Sequence, residues 1–291
     1  MRPPAQIALR IVPYVVFYFL LASLAGPLFL WVGGYVVGLT MSSLFAALFV
    51  NWLALRIFEN RPLGDAGLWW NHASADNLAF GLAGGIGAGC LVMGPAVLLR
   101  LGRMVATPKE PFSIGTLLFV ALLLAAGAAG EELFFRGYAF QTLLAGAGAY
   151  ATVLPVGVIF GLLHTGNPHS NWLAIVNTAG FGILFGYAYL RSRDLWLPMG
   201  LHFGWNFTLP LFGVPVSGLR MNVTGHELVW NAGPWVSGGE YGPEASVLTS
   251  AVLGALFVFL WKAPVRRQIS PLTDPEVSAV CEPQPQPRLP S

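Results

Sequence analysis

The chain is short of charge. Only 10% of its 291 residues are Asp, Glu, Lys or Arg, against about 25% in a soluble globular domain. That is too little to coat a water-facing surface. Cysteine is nearly absent, with Cys90 in an apolar stretch and Cys281 in a polar one, which argues against a disulfide framework or a zinc–cysteine site. A net charge of +2 gives no footing for a nucleic-acid partner. Strand-type alternation, internal repeats and a second domain are also missing. No cleavable signal peptide is evident: the first apolar stretch, Ile11 to Trp31, has the roughly 20 residues that cross a bilayer and is too long for a signal segment.

What is abundant points the same way. Hydrophobic residues make up 55% of the chain, with 35 glycines and 10 tryptophans, and mean hydropathy is +0.65. Glycine lets membrane helices approach closely and tryptophan anchors them at the interface. Apolar runs of crossing length fall at 10–31, 33–56, 77–100, 114–144, 149–166, 171–191, 195–213 and 246–262. Without water inside the bilayer to satisfy backbone groups, these are expected to be helices. The fold class is therefore all-α, a polytopic membrane bundle of about eight spans. Residues 1–268 form one domain, with a motif-bearing core at 114–213. The proline-rich stretch 269–291 reads as a disordered tail, with Cys281 too far from its end for a prenylation box.

Lys and Arg set the orientation. With a cytoplasmic N-terminus, Arg2, Arg10, Arg56, Arg61, Arg191, Arg193, Lys262, Arg266, Arg267 and Arg288 lie inside, and Arg100, Arg103, Lys109 and Arg220 outside. Both termini are expected in the cytoplasm. Gly81, Gly85 and Gly89, and likewise Gly182 and Gly186, recur at four-residue spacing. They are expected to pack helices within the bundle, a homodimer interface being the alternative. The loop 214–244 reads as an interfacial flap.

Ionisable groups inside apolar runs are costly and mark a functional site. Three clusters stand out. Glu131, Glu132 and Arg136 follow twelve uncharged residues. Glu132 and Arg136 are i,i+4 neighbours that can pair, which leaves Glu131, about 100° around the helix, to point elsewhere. Phe160 and His164 share a helix face, as do His202 and Asn206. Each cluster alone has a structural reading: a charge cluster near a helix end, an interfacial histidine, an interhelical hydrogen bond. Together they suggest a polar pocket within lipid, able to run general-base hydrolysis with a carboxylate, imidazoles and an amide. Asn177 either lines that pocket or bonds a neighbouring helix. His169 reads as loop, and His72 and His226 carry no signal.

These clusters, in this order, resemble the motifs of the CAAX-protease and bacteriocin-processing (CPBP) family, which includes the type II CAAX prenyl endopeptidases. Its pattern of Glu-Glu-x-x-x-Arg, Phe-x-x-x-His and His-x-x-x-Asn is complete here as Glu131–Glu132…Arg136, Phe160…His164 and His202…Asn206. The resemblance implies an intramembrane endopeptidase with a conical cavity. Glu131 would be the general base, and His164 would help position or activate the water. His202 and Asn206 would form the oxyanion hole, with Glu132 and Arg136 in support. The substrate would be a membrane-associated peptide or protein, prenylated or not, at a bacterial inner membrane. The alternatives are a non-catalytic scaffold or bacteriocin-immunity protein of the same fold and, more remotely, a transporter. The family is often labelled metalloprotease, and two His and a Glu can ligate zinc, but no His-Glu-x-x-His helix is present. The expectation is a site without metal, zinc being the alternative. One expectation strains the reading: His164 lies late in the fifth span and His202 early in the seventh, roughly 10 Å apart in depth at about 1.5 Å per residue.

Overall fold

The computed structural model describes residues 3–274. The first helix, α1 (Pro4–Ala54), is a hairpin. Gly34 takes φ 77° and ψ −173°, a conformation open to glycine because it has no Cβ, and the helix reverses there. Its arms are zipped by polar side chains: Tyr18 shares a 2.8 Å hydrogen bond with Ser43, and Asn51 donates to the Tyr14 hydroxyl at 2.9 Å. The expected spans 10–31 and 33–56 are these two arms.

The chain continues through α2 (His72–Leu98), α3 (Ile114–Arg136), α4 (Tyr138–Ala147), α5 (Ala149–Leu163), α6 (Trp172–Ser192) and α7 (Trp196–Leu211). A single turn, α8 (Pro234–Ser237), precedes α9 (Val247–Lys262). Among the described residues, five stretches are long and apolar enough to cross a membrane, whereas α7 and α9 have 16 residues each. The result is a helical membrane bundle, as expected.

Three details differ from expectation. The run expected as one span over 114–144 breaks at Gly137 (φ −72°, ψ −143°). Asn51 of α1 fills the break: its amide donates to the Leu133 carbonyl at 3.0 Å and accepts from the Tyr138 N–H at 2.8 Å. Backbone groups freed at membrane depth thus find partners within the protein. Strand structure exists despite the missing alternation. β1 (Gly102–Ala106) pairs antiparallel with β2 (His226–Trp230), so one strand of the expected flap is tied to a strand outside it. Each strand has only five residues, too few to show a period. Within 269–291, residues 269–274 are described and fold back on the body: Leu272 joins the core around Tyr14 and Tyr138, and Ser270 donates to Gln141 at 3.2 Å. The rest of that segment, including Cys281, lies outside the described residues.

The glycine stripes work inside the bundle. A Cβ on Gly81 would sit 2.4 Å from the Leu197 carbonyl oxygen, and one on Gly85 would sit 2.2 Å from that of Leu201. Facing them, Gly200 and Gly204 of α7 approach the carbonyls of Leu78 and Leu82. Helices α2 and α7 therefore meet backbone to backbone, which fixes the height and rotation of α7. Gly182 of α6 meets Gly157 of α5 in the same way.

A methyl group at Gly85 has nowhere to go, whereas Gly87, one residue pair along, has open space around it. Gly85→Ala is predicted to cost about 1–3 kcal/mol through overpacking. Gly87→Ala should be neutral or stabilising by up to about 1 kcal/mol. Thermal unfolding in detergent would compare them; equal melting temperatures would refute the backbone contact.

Candidate active site

The C-terminal half of α3 carries the first cluster. Glu132 and Arg136 are fully buried and pair across one turn, Nη1 to Oε1 at 3.3 Å. Arg136 also donates from Nη2 to the Gly182 carbonyl at 2.5 Å. Its guanidinium lies over the rings of Phe160, Phe185 and Phe135, 5.1–5.5 Å from their centroids. A buried charge needs this many partners.

The same Glu132 oxygen reaches a third element. His202 on α7 places Nδ1 at 2.9 Å from Glu132 Oε1. A carboxylate only accepts, so Nδ1 carries the proton. The ring is sandwiched by Phe185, stacked at 4.8 Å and 15°, and met edge-on by Phe160 at 6.1 Å. With Nδ1 so engaged, Nε2 is an acceptor in the neutral ring and a donor only when the ring is doubly protonated.

Glu131 is placed differently. Its side chain keeps 34% of its surface, and Oε2 lies 3.8 Å from His202 Nε2. That oxygen is buried and has no hydrogen-bond partner among the described residues. Glu131 lines a cavity of about 390 Å³ together with His164, Asn206 and Ser217. The far wall is apolar, from Tyr18, Phe19 and Leu39 of the α1 hairpin and Leu123 and Leu124 of α3.

His164 caps α5. Its Nδ1 lies 2.7 Å from the Phe160 carbonyl, and a carbonyl only accepts, so here too the proton sits on Nδ1 and leaves Nε2 with a lone pair. Behind the cavity lies an inner pocket of about 20 Å³, lined by His164, His202, Asn206, Ser217 and Glu244 among others, roughly the room of a single water. Asn206 faces both spaces. The expected offset in depth is accommodated by one helical turn. Phe160, a turn before His164, meets the His202 ring, while Asn206, a turn after His202, shares the cavity wall with His164.

The structure thus brings Glu131, His164, His202 and Asn206 around two adjoining spaces, with Glu132 and Arg136 packed behind them. It leaves others out. His169 pairs with Glu240 at 2.9 Å on the exposed side. Asn177 bonds the Glu244 and Ser246 carbonyls at 2.7 and 2.9 Å and does not line the cavity. His72 opens α2 and His226 opens β2. Among the lining residues that the sequence reading did not single out are Ser217 and Glu244. Both sit in the glycine- and proline-rich loop 214–244, read from the sequence as an interfacial flap.

Among the described residues no three His, Cys, Asp or Glu side chains stand close enough to hold an ion.

Residues 113–208 match a family model, Rce1-like, described as type II CAAX prenyl endopeptidase Rce1-like. The match is consistent with the CPBP family. It spans α3 to α7, the elements that carry every expected site residue. No curated protein matches the chain. At the level of the family the match supports a CAAX-type intramembrane endopeptidase, and with the long apolar helices it supports an integral membrane protein.

Removing one member of the buried pair strands the other. Arg136→Met is predicted to cost about 3–5 kcal/mol, because Glu132 keeps an uncompensated charge. The double variant Arg136→Met with Glu132→Gln should recover part of the loss. Melting temperatures that add simply across the two substitutions would contradict the coupling.

Proposed function

We propose that the chain is an intramembrane endopeptidase in which Glu131 activates water for attack on a peptide bond. The observation that carries this reading is the contrast between neighbouring carboxylates. Glu132 is fully buried, its Oε1 shared by Arg136 and His202, while Glu131 keeps 34% of its side-chain surface and lines a cavity with His164 and Asn206.

The chemistry follows from the protonation states. Water in the cavity gives a proton to Glu131, and its oxygen attacks the scissile carbonyl carbon. His164 Nε2, left with its lone pair, helps orient that water. The tetrahedral oxyanion accepts hydrogen bonds from Asn206 Nδ2 and from His202 Nε2–H. That second donor exists only in the doubly protonated ring, which lies between the carboxylates of Glu131 and Glu132. On collapse the C–N bond breaks and Glu131 returns its proton to the leaving amine. No serine or cysteine nucleophile is needed, so no acyl-enzyme forms.

The apolar wall suggests the substrate class. Phe19 and Leu39 belong both to the cavity and to a second groove of about 410 Å³ between the arms of α1. A polar hydrolytic centre beside an apolar groove suits a peptide tethered to a lipid chain or emerging from the bilayer. The prenylated CAAX peptide is the natural first probe, and a membrane is the expected location.

Cleavage of a fluorogenic farnesylated peptide by detergent-purified protein tests this. Glu131→Gln is expected to lower the rate by about 10³-fold, within the range of a lost general base, while the melting temperature holds. A strong chelator is expected to leave the wild-type rate unchanged; loss of activity in chelator would instead call for a metal. Wild-type cleavage by Glu131→Gln would sink the assignment.

A further inference from the structure

The cavity lies toward one end of the bundle. On the second arm of α1 it uses Val36, Leu39, Thr40 and Ser43, all within nine residues of the reversal at Gly34, a distance of about 14 Å at 1.5 Å per residue. Its loop residues come from the same end: Asn167 just beyond α5, and Ser217, Leu219 and Met221 beyond α7. These two loops meet, because a Cβ on Gly218 would collide with the Pro168 carbonyl oxygen. From this mouth the cavity descends to Glu131 and Phe134 on α3. Among the described residues, nothing from the segments 55–76, 190–199 or 262–274 lines it.

Those segments form the opposite end, and it is the basic one. Arg10 at the start of α1 pairs with Glu59 beyond its second arm, and Arg266 beyond α9 pairs with Asp76 at the start of α2, at 3.4 Å. The Gln268 N–H donates to the Ser192 carbonyl at the end of α6 at 2.8 Å, and the Trp196 indole at the start of α7 donates to the Trp69 carbonyl at 2.9 Å. Among the described residues this end holds eight Lys and Arg: Arg56, Arg61, Arg191, Arg193, Lys262 and Arg267 besides Arg10 and Arg266. The cavity end holds four, Arg100, Arg103, Lys109 and Arg220, while Arg136 lies inside the bundle and is not counted. The number of Lys and Arg near the span ends sets orientation, and the richer end faces the cytoplasm.

Exposed tryptophans mark both edges. Trp70 and Trp261 belong to the basic end, and Trp172 and Trp235 to the cavity end, where their rings meet at 5.9 Å. Such side chains sit at the level of the lipid headgroups. Asn167, on the rim of the cavity, precedes Trp172 by five residues, so the mouth lies near this second belt.

We infer that the cavity opens to the extracytoplasmic side of the membrane, and that its substrate is the extracytoplasmic part of a membrane-anchored peptide or protein, entering past Asn167 and Met221. A peptide confined to the cytoplasm would face the basic end, which contributes nothing to the cavity. The statement about substrate rests on the hydrolytic reading; the sidedness does not.

Cysteine labelling tests the sidedness. In a full-length background carrying Cys90→Ser and Cys281→Ser, single cysteines are placed at the mouth (Met221→Cys), on the exposed loop beside it (Glu240→Cys) and at the basic end (Arg267→Cys). Intact bacterial cells expressing each variant are treated with a membrane-impermeant maleimide. Met221→Cys and Glu240→Cys are expected to react at least about tenfold faster than Arg267→Cys if the basic end is cytoplasmic, and permeabilising the cells should remove the difference. Asn167→Cys probes the same mouth if Met221→Cys does not fold. A second arm uses the fluorogenic farnesylated peptide, made impermeant by charged residues. Right-side-out vesicles should cleave it at least about tenfold faster than inverted ones by the same orientation, with detergent equalising the two.

Faster or equal labelling of Arg267→Cys overturns the sidedness. So does a folded mouth variant that stays unlabelled beside a labelled Glu240→Cys. Equal or faster cleavage in inverted vesicles overturns the assignment of substrate. If wild type cleaves no peptide even in detergent, the hydrolytic reading fails instead, and labelling alone decides which side the cavity faces.

Discussion

A carboxylate buried in an apolar bundle cannot borrow water to stabilise its charge, and Glu132 is held from two directions at once. Its Oε1 meets Arg136 within α3 and His202 on α7, while Arg136 reaches on to the Gly182 carbonyl of α6. One oxygen and one guanidinium therefore join three helices at the level of the site. Leaving any of these groups unpaired would cost several times what a surface ion pair contributes, about 3–5 against about 0.2–1 kcal/mol. The triad thus selects one arrangement of α3, α6 and α7 and opposes sliding between them. The aromatic rings around Arg136 and His202 keep water from relaxing that demand.

This constraint would be hard to satisfy if the helices could drift in height, and the glycine contacts prevent it. Lipid tails are as apolar as leucine, so helix association in the bilayer depends on close packing rather than on water exclusion. Gly81 and Gly85 on α2, facing Gly200 and Gly204 on α7, give that packing. Two of these glycines flank His202, so the residues that set the height of α7 lie within one turn of the residue whose position matters most. Asn51 does the corresponding work on the other side, holding α3 and α4 at the break after Arg136.

The spans, the three polar clusters and the division between Glu131 and Glu132 were legible in the sequence. Each depends on a local rule: run length, helix periodicity, and the cost of charge in lipid. The break at Gly137 was not. A glycine inside an apolar run has the same appearance whether it bends the chain or packs a helix. The paired strands at 102–106 and 226–230 lie more than a hundred residues apart and are too short to declare a period. Glu244 was the costliest omission. In Tyr241–Gly242–Pro243–Glu244 it carries every mark of an exposed turn, and only long-range packing from Asn177, Trp205 and Ser217 buries it.

Glu131 and Glu132 show how a helix can separate structure from chemistry within two residues. Adjacent positions are rotated by about 100°, so one carboxylate can face the seam of α3 with α6 and α7 while its neighbour faces the cavity. The paired residue makes the scaffold rigid, and rigidity on one side lets the other remain underpartnered, because a loose helix would turn Glu131 toward the nearest donor. His202 couples the two: its Nδ1 belongs to the scaffold and its Nε2 faces Glu131. Any change that loosens Glu132 therefore also displaces the donor that faces Glu131. Damage to the scaffold and damage to the chemistry are separable at Glu131 but not at Glu132.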